Sequence, residues 1–319
     1  MANTYSPMIA TLVGKHVISA LRVMLNPIIG VFATDLQPTH AEKGSAVTVG
    51  INPAVTAAGD LTDDHSGSRA TAAADTAQTT VTVTLNQEPC KGFNITDGEA
   101  AQIQGDVLPI YIEKRARDCG YSVALSILNY IFELVTAANF SGVAYAGGAA
   151  GFNLDKITDI HANLADAGYP CCIPDAIGML LKPAYVAALR KDKAVQNLSA
   201  SGVDVVKTGF LGRVGAQKVD IFNVFEAAAL PKAGGTPEAE KLVGFVATSD
   251  AIALAQRIVE PQSTNRIDDF QVLADEDTGL TLCMRVWYDP DPGKRYYTFE
   301  SLYGASKANG SALQRIKSE

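Results

Sequence analysis

Four histidines, five cysteines and one acidic cluster are the side chains of this chain best suited to chemistry. His16, His40, His65 and His161 lie far apart in sequence, so none has an evident partner for acid–base work. His65 ends the run Asp60-Leu61-Thr62-Asp63-Asp64-His65, whose carboxylates could touch a hard cation. The run lacks the spaced ligands and the bidentate glutamate of a calcium loop, so it reads as a solvated tip. The cysteines, Cys90, Cys119, Cys171, Cys172 and Cys283, are odd in number, include one adjacent pair and show no CxxC spacing. A disulfide framework or zinc site is not expected, and synthesis in a reducing compartment is. Cys171-Cys172 could supply a nucleophile, but no histidine is placed to activate it, so buried thiols are expected. No GxSxG, HExxH or DFG motif occurs. The glycine-rich stretch FSGVAYAGGAAGF, residues 140–152, is followed by Asn153-Leu154, where a phosphate loop would carry Lys-Ser/Thr, so it reads as a flexible link. No catalytic, cofactor-binding or metal residue is assigned, and no cofactor is expected.

Charge narrows the partners. The chain has 319 residues, 47% hydrophobic and 19% charged, with a net charge of -8 and a pI near 5.1. A nucleic-acid binder needs a basic patch to displace phosphate counterions. The densest basic run, Lys114-Arg115-Ala116-Arg117, is flanked by Glu113 and Asp118. Such a surface would let DNA slide past without holding it. The N-terminus lacks a basic segment followed by an apolar one, so secretion is not expected.

The elements behind these residues are legible in outline. Residues 1–40 read as an arm with short helical pieces, interrupted by Pro27 and Pro38. Val47–Ile51 and Thr80–Leu85 alternate with period two, and residues 56–78 between them are nearly all Ala, Thr, Gly, Asp and Ser. That predicts a long hairpin with a mobile tip. An isolated hairpin is marginal in water, so this one is expected to lean on another subunit. Residues 106–138 carry apolar positions at helical spacing, from Ile112 through Ala116, Cys119, Val123 and Ile127 to Tyr130, Leu134 and Ala138. Asp106 would cap this helix and Pro109 would sit in its first turn. At 1.5 Å per residue it would run roughly 50 Å. Asn129 and Glu133 and a charged first half argue against a membrane span.

Residues 153–260 predict an α/β unit. A helix capped by Asp155 runs through Gly168, Ala176–Leu181 is a buried strand, and a helix runs from Pro183 to about Asn197. Val219–Phe225 and Leu242–Ala247 are strands, and Ser249–Arg257 is a short capped helix. A closing sheet spans 270–316. Its hairpin, TGLTLCMRVWYDPDPGKRYYTFESLYG (278–304), holds the single tryptophan, Trp287, and four of the eleven tyrosines, with the turn at Asp289–Lys294. Aromatics on a pleated surface stabilise sheets through cross-strand pairs, so a structural sheet is expected.

The order of these parts resembles the major capsid protein of tailed bacteriophages, over nearly the whole chain. Its most specific pieces are Gly212–Phe225 (GRVGAQKVDIFNVF), Gly244–Gln256 (GFVATSDAIALAQ) and Leu302-Tyr303-Gly304-Ala305. The resemblance implies an α+β fold with an N-terminal arm (1–40), an extended hairpin loop (41–104), a peripheral domain (105–152 and 262–319) with spine helix 106–138, and a compact axial α/β domain (153–261). It implies a coat protein of an icosahedral shell, made in the host cytoplasm and located in the virion. Partners would be copies of itself as pentamers and hexamers, portal and scaffolding proteins and packaged double-stranded DNA, with no membrane. Val81, Val83, Leu85, Phe93, Trp287 and Tyr297 are the expected subunit-contact residues. A charge at Val83 or Phe93 is expected to block assembly and leave the monomer folded.

Two departures from the family matter. About 40 residues precede the hairpin, where some members carry a long scaffolding segment, which implies a separate scaffold or removal of a segment. Some members crosslink through a lysine in the hairpin, but between Lys43 and Lys91 this chain has only Arg69 as a basic residue other than His65, so no crosslink is expected. Competing readings are an encapsulin-like compartment shell, and a soluble α/β enzyme with its site at the 146–152 loop. A decoration or tail component fits the length and spine helix less well.

Overall fold

The computed structural model describes residues 7–29, 32–51, 79–102, 107–166, 177–192, 217–219, 222–227, 230, 234–261, 267–275 and 278–319. The N-terminal segment is one 23-residue helix, α1 (Pro7–Ile29). Val13, Val17, Leu21, Leu25 and Ile28 form its buried stripe. The expected break at Pro27 is absent: burial of this stripe outweighs the poor helix propensity of a proline near the last turn. Strand β1 (Ala33–His40) follows, and its register shifts between Leu36 and His40, around Pro38. Next come β2 (Ala46–Ile51) and β3 (Thr79–Thr84), paired antiparallel as expected from their alternation. The acidic run 60–65 and the rest of the hairpin tip lie outside the described residues.

Strand β4 (Cys90–Thr96) leads into α2 (Asp97–Gln102) through a capping box. The Glu99 amide donates to Thr96 Oγ1 (3.1 Å), and the Thr96 amide donates to Glu99 Oε2 (2.9 Å). These bonds hold the Glu99 carboxyl below its usual range. The spine is α3 (Val107–Leu134), 28 residues or about 42 Å. Ile112, Ala116, Cys119, Val123 and Ile127 are buried as the spacing predicts; Tyr130 and Leu134 are half-buried, Ile131 completes the buried face, and Ala138 lies beyond the helix. Asp106 lies outside the described residues. The helix stops four residues before the expected end, where Asn139 Nδ2 donates to the Leu134 carbonyl (2.8 Å). α1 packs along α3, and a Cβ at Gly120 would stand 2.7 Å from the Val17 carbonyl oxygen, so only glycine permits this crossing.

The remaining elements are β5 (Val143–Ala146), α4 (Leu154–Asp166), β6 (Ile177–Leu181), α5 (Pro183–Lys191), β7 (Gln217–Val219), β8 (Phe222–Glu226), α6 (Thr236–Ala239), β9 (Leu242–Thr248), β10 (Ile252–Ile258), β11 (Asp269–Ala274), β12 (Thr281–Asp289), β13 (Lys294–Glu300), β14 (Leu302–Lys307) and β15 (Leu313–Lys317). They build a six-stranded sheet in the order β5-β15-β9-β6-β8-β7, a four-stranded sheet β11-β12-β13-β4 and a three-stranded sheet β1-β10-β14. The six-stranded sheet is covered on one face by α4 and α5, through Ile157, Ile160, Tyr185 and Leu189. Its other face gives Leu180, Phe225 and Phe245 to the core around α1 and the end of α3. The inner face of the four-stranded sheet, with Leu282, Met284, Val286, Tyr297 and Phe299, joins that same core.

Several expectations are corrected. Asn153 caps α4, its Oδ1 accepting from the Lys156 amide (3.2 Å), and Asp155 lies inside the helix. α5 ends at Lys191, short of Asn197. The expected strand 219–225 is a hairpin, with Val219 opposite Phe222. The expected helix 249–257 is the strand β10, hydrogen-bonded between β1 and β14. All seven β10 residues are buried, so no polar alternation marks it as a strand. The closing strands also divide: β14 joins the three-stranded sheet and β15 the six-stranded one. β15 is hydrogen-bonded between β5 and β9 in the six-stranded sheet, while β10 lies in the three-stranded one.

Candidate functional surfaces

Among the described residues the histidines remain apart, while Cys90 and Cys283 lie on either side of Glu300 on neighbouring strands. His16 Nδ1 lies 3.3 Å from Glu113 Oε1, and His40 Nε2 lies 3.8 Å from Glu260 Oε2. The ring of His161 packs edge-on to Phe222. Cys119 and Cys283 are buried, and burial pushes their thiols up to about 11 and about 12, away from the reactive thiolate form. Cys90 is exposed, and burial of part of its side chain together with Glu300 raises its pKa. Cys171 and Cys172 lie outside the described residues. Among the described residues no group of three histidine, cysteine or acidic side chains could hold a metal. Beside the glycine-rich stretch is a shallow depression of about 380 Å³, lined by Gly148, Lys182, Tyr185, Glu238 and Lys241 among others. The Tyr185 hydroxyl there donates to the Gly147 carbonyl (2.7 Å), so it closes the link onto α5. This arrangement contains no paired nucleophile and base.

The expected contact residues divide by burial. Val83 and Leu85 are fully buried and Tyr297 is 3% exposed. Val83 and Leu85 pack with Val49 onto Ala253, Ala255 and Leu302 of the same chain. The hairpin base therefore leans on its own three-stranded sheet, which the sequence reading did not place beside it. Phe93 lies in β4, where its ring stacks on Tyr297 at 4.8 Å, so it belongs to the four-stranded sheet and its core. Val81 and Trp287 keep partial exposure. The Trp287 ring stacks on its cross-strand partner Tyr296 at 5.1 Å. Buried Val83, Leu85 and Tyr297 have no free surface to offer a neighbour in this conformation.

The seat of the hairpin depends on small residues. On β10, Ile252 and Leu254 point to the main core while Ala253 and Ala255 face the hairpin. On β14, Tyr303 and Ala305 face the main core. A Cβ at Gly304 would stand 2.1 Å from the Thr84 carbonyl oxygen, so β3 rests directly on this glycine. Tyr303 bolts the seat to the spine. Its backbone exchanges hydrogen bonds with Gln87 (3.0 and 2.9 Å), and its hydroxyl donates to the Ser126 carbonyl (3.1 Å). Burial pushes that phenol up to about 12. Leu302–Ala305 was visible as a run in the sequence, but its role as a seat required the fold.

The outward surfaces differ in chemistry. Thr48, Gly50, Thr80, Thr82 and Thr84 form the exposed face of β2 and β3, and neither strand carries a charged residue. On the outward face of the four-stranded sheet, Arg285 pairs with Glu300 beside the Trp287–Tyr296 stack. Desolvation is the largest influence on Glu300 and raises its pKa, against the lowering effect of Arg285. No helix among the described residues is long and apolar enough to cross a membrane.

No family model matches the chain, and no curated protein matches it by sequence. Solved phage structures do match in fold. The capsid of Ralstonia phage GP4 aligns with a TM-score of 0.53 at 10% identity, over 89% of this chain and 86% of that one. The cyanophage Pam1 capsid asymmetric unit gives 0.51 at 13%, over 90% and 88%, and the bacteriophage PhiM1 mature capsid gives 0.51 at 11%, over 90% and 85%. The chain has the fold of phage capsid proteins.

Proposed function

We propose that this chain is a structural coat protein that self-assembles, as pentamers and hexamers, into an icosahedral shell around the double-stranded DNA of a tailed phage. The observation that carries the reading is the shared fold with phage capsid chains over nine-tenths of this chain. The scattered histidines and high-pKa thiols fit a role that uses no catalysis. In this reading synthesis takes place in the host cytoplasm, portal and scaffolding proteins help closure, and DNA is enclosed without sequence recognition. Many copies with modest contacts gain stability through multivalency. The contact surface in this reading is the outward threonine face of the hairpin, while the outward face that carries Trp287 stiffens its own sheet.

Negative-stain electron microscopy after size-exclusion chromatography, with phage neighbours co-expressed, tests this. Closed icosahedral particles containing DNA are expected. Particles filled with an enzyme would replace the virion by a compartment shell, and persistent monomers under every assembly condition would reject both. Boiling the particles in SDS should give a single monomer band.

A further inference from the structure

The end of the spine and the α6 loop are joined by two carboxylates that reach in opposite directions. Glu133, in the last turn of α3, accepts from the Thr236 amide at the start of α6 (Oε2, 3.1 Å). Glu240, just after α6, reaches back and accepts from the Ala137 amide beyond the end of α3 with both oxygens (2.9 and 2.8 Å). Glu240 Oε2 also pairs at 2.6 Å with Arg315 Nη1 on β15. The Arg315 side chain is only 5% exposed and its Nε has no hydrogen-bond partner, so Glu240 is the anion that balances a buried cation. A Cβ at Gly235 would stand 2.4 Å from Glu133 Oε1, so the loop fits closely around that carboxylate. Three elements, α3, the α6 loop and the six-stranded sheet, converge on these two side chains.

We propose that Glu133 and Glu240 form a reciprocal clasp that fixes the angle between the spine helix and the six-stranded sheet. Resting on the shell reading above, the clasp sets the curvature of the assembled particle. The Thr236 amide, in the first turn of α6, has no intrahelical partner, and the Ala137 amide lies beyond the last turn of α3, so each needs an acceptor from elsewhere. Here the acceptors are charged and come from the opposite body, so each bond resists rotation of one body against the other. The Phe132–Phe245 contact (ring centroids 6.2 Å apart) adds apolar burial, which is non-directional, whereas the clasp's hydrogen bonds are directional.

Hydrogen exchange on the unassembled protomer reads the clasp without assembly. Glu240→Ala should speed exchange of amides 135–140 about tenfold, the loss of one charge-assisted bond. Exchange in β12 and β13 should stay unchanged. Glu133→Gln keeps the shape, protects against a folding failure in the first variant, and should speed exchange around Thr236. Glu238→Gln is the control, because Glu238 Oε2 accepts only from Gly234 within the loop (2.6 Å) among the bonds seen, and it should leave 135–140 untouched. Unchanged exchange at 135–140 in Glu240→Ala, or the same acceleration in every strand, would overturn the clasp. Particle diameter then tests curvature: a broadened or shifted distribution in Glu133→Gln supports it, and a wild-type distribution overturns it. If wild-type protein forms no particles, the shell reading and its curvature clause fall, while the exchange result still decides the clasp.

Discussion

The β2–β3 ribbon and the four-stranded sheet each press one face onto the rest of the chain, yet their outward faces are opposites. The ribbon turns out Thr48, Thr82 and Thr84, hydroxyls that can hydrogen-bond to anything that covers them. The sheet turns out a largely buried Arg285–Glu300 ion pair, in which Arg285 Nε has no hydrogen-bond partner, and a stacked Trp287–Tyr296 pair. Covering the first face desolvates no charge, whereas covering the second removes water from an ion pair at a cost its Coulomb energy need not recover. The ribbon also lacks the charges and prolines by which free sheet edges usually resist pairing with another chain. The difference separates a surface suited to burial by a neighbour from one suited to stiffening its own sheet.

The largest effect should come from confusing the ribbon's two faces. Val83→Asp places an unpaired charge in a fully buried site between Val49 and the alanines of β10. It should cost about 4 kcal/mol or more, and urea unfolding of the isolated protomer would measure it. The sequence alone suggested a folded monomer that fails to assemble; a normally stable Val83→Asp protomer would restore that view and remove the seat. Gly304→Val should come next. Its side chain collides with the Thr84 carbonyl, costing about 3 kcal/mol and speeding exchange at Leu85 and Gln87 as the ribbon lifts. Thr82→Asp, on the outward face, should change protomer stability by less than about 0.5 kcal/mol and abolish particles. Intact particles from Thr82→Asp would show that this face stays uncovered.

The same contrast explains what could be read from the sequence. Each ribbon strand alternates buried and exposed positions, so β2 and β3 were visible as strands, and the spine's stripe was visible at helical spacing. β10 was misread because its alternation is between two buried faces, large residues Ile252 and Leu254 on one and small Ala253 and Ala255 on the other. Both sets are apolar, and alanine and leucine favour helix locally, so hydrogen bonding to β1 and β14 decided the outcome. The alanines record the ribbon's seat, a contact between residues about 170 positions apart. Val83 and Leu85 were expected to meet another subunit, and here they pack on the same chain, because what covers an apolar face is a tertiary fact. The Glu133–Glu240 clasp left no pattern at all, because it joins side chains to backbone amides across more than 100 residues.

The smallest expected effect concerns the other side of the comparison, the outward face of the four-stranded sheet. Glu300 has its pKa raised chiefly by burial, so the folded chain holds its proton more firmly than the unfolded chain does. Its contribution to stability is therefore fully present below the ordinary glutamate range and is lost as pH rises through the folded value. Glu300→Gln does not titrate. The stability of the wild type relative to this variant should fall as pH rises from about 4 towards neutrality, by urea unfolding of both proteins across that range. A difference that rises instead would mean that attraction to Arg285 outweighs desolvation, and that the ion pair stabilises the sheet outright. A shell contact that buries the pair further would steepen the fall in assembled particles relative to protomers. Equal slopes in the two states would keep this face outside the interface, as its chemistry implies.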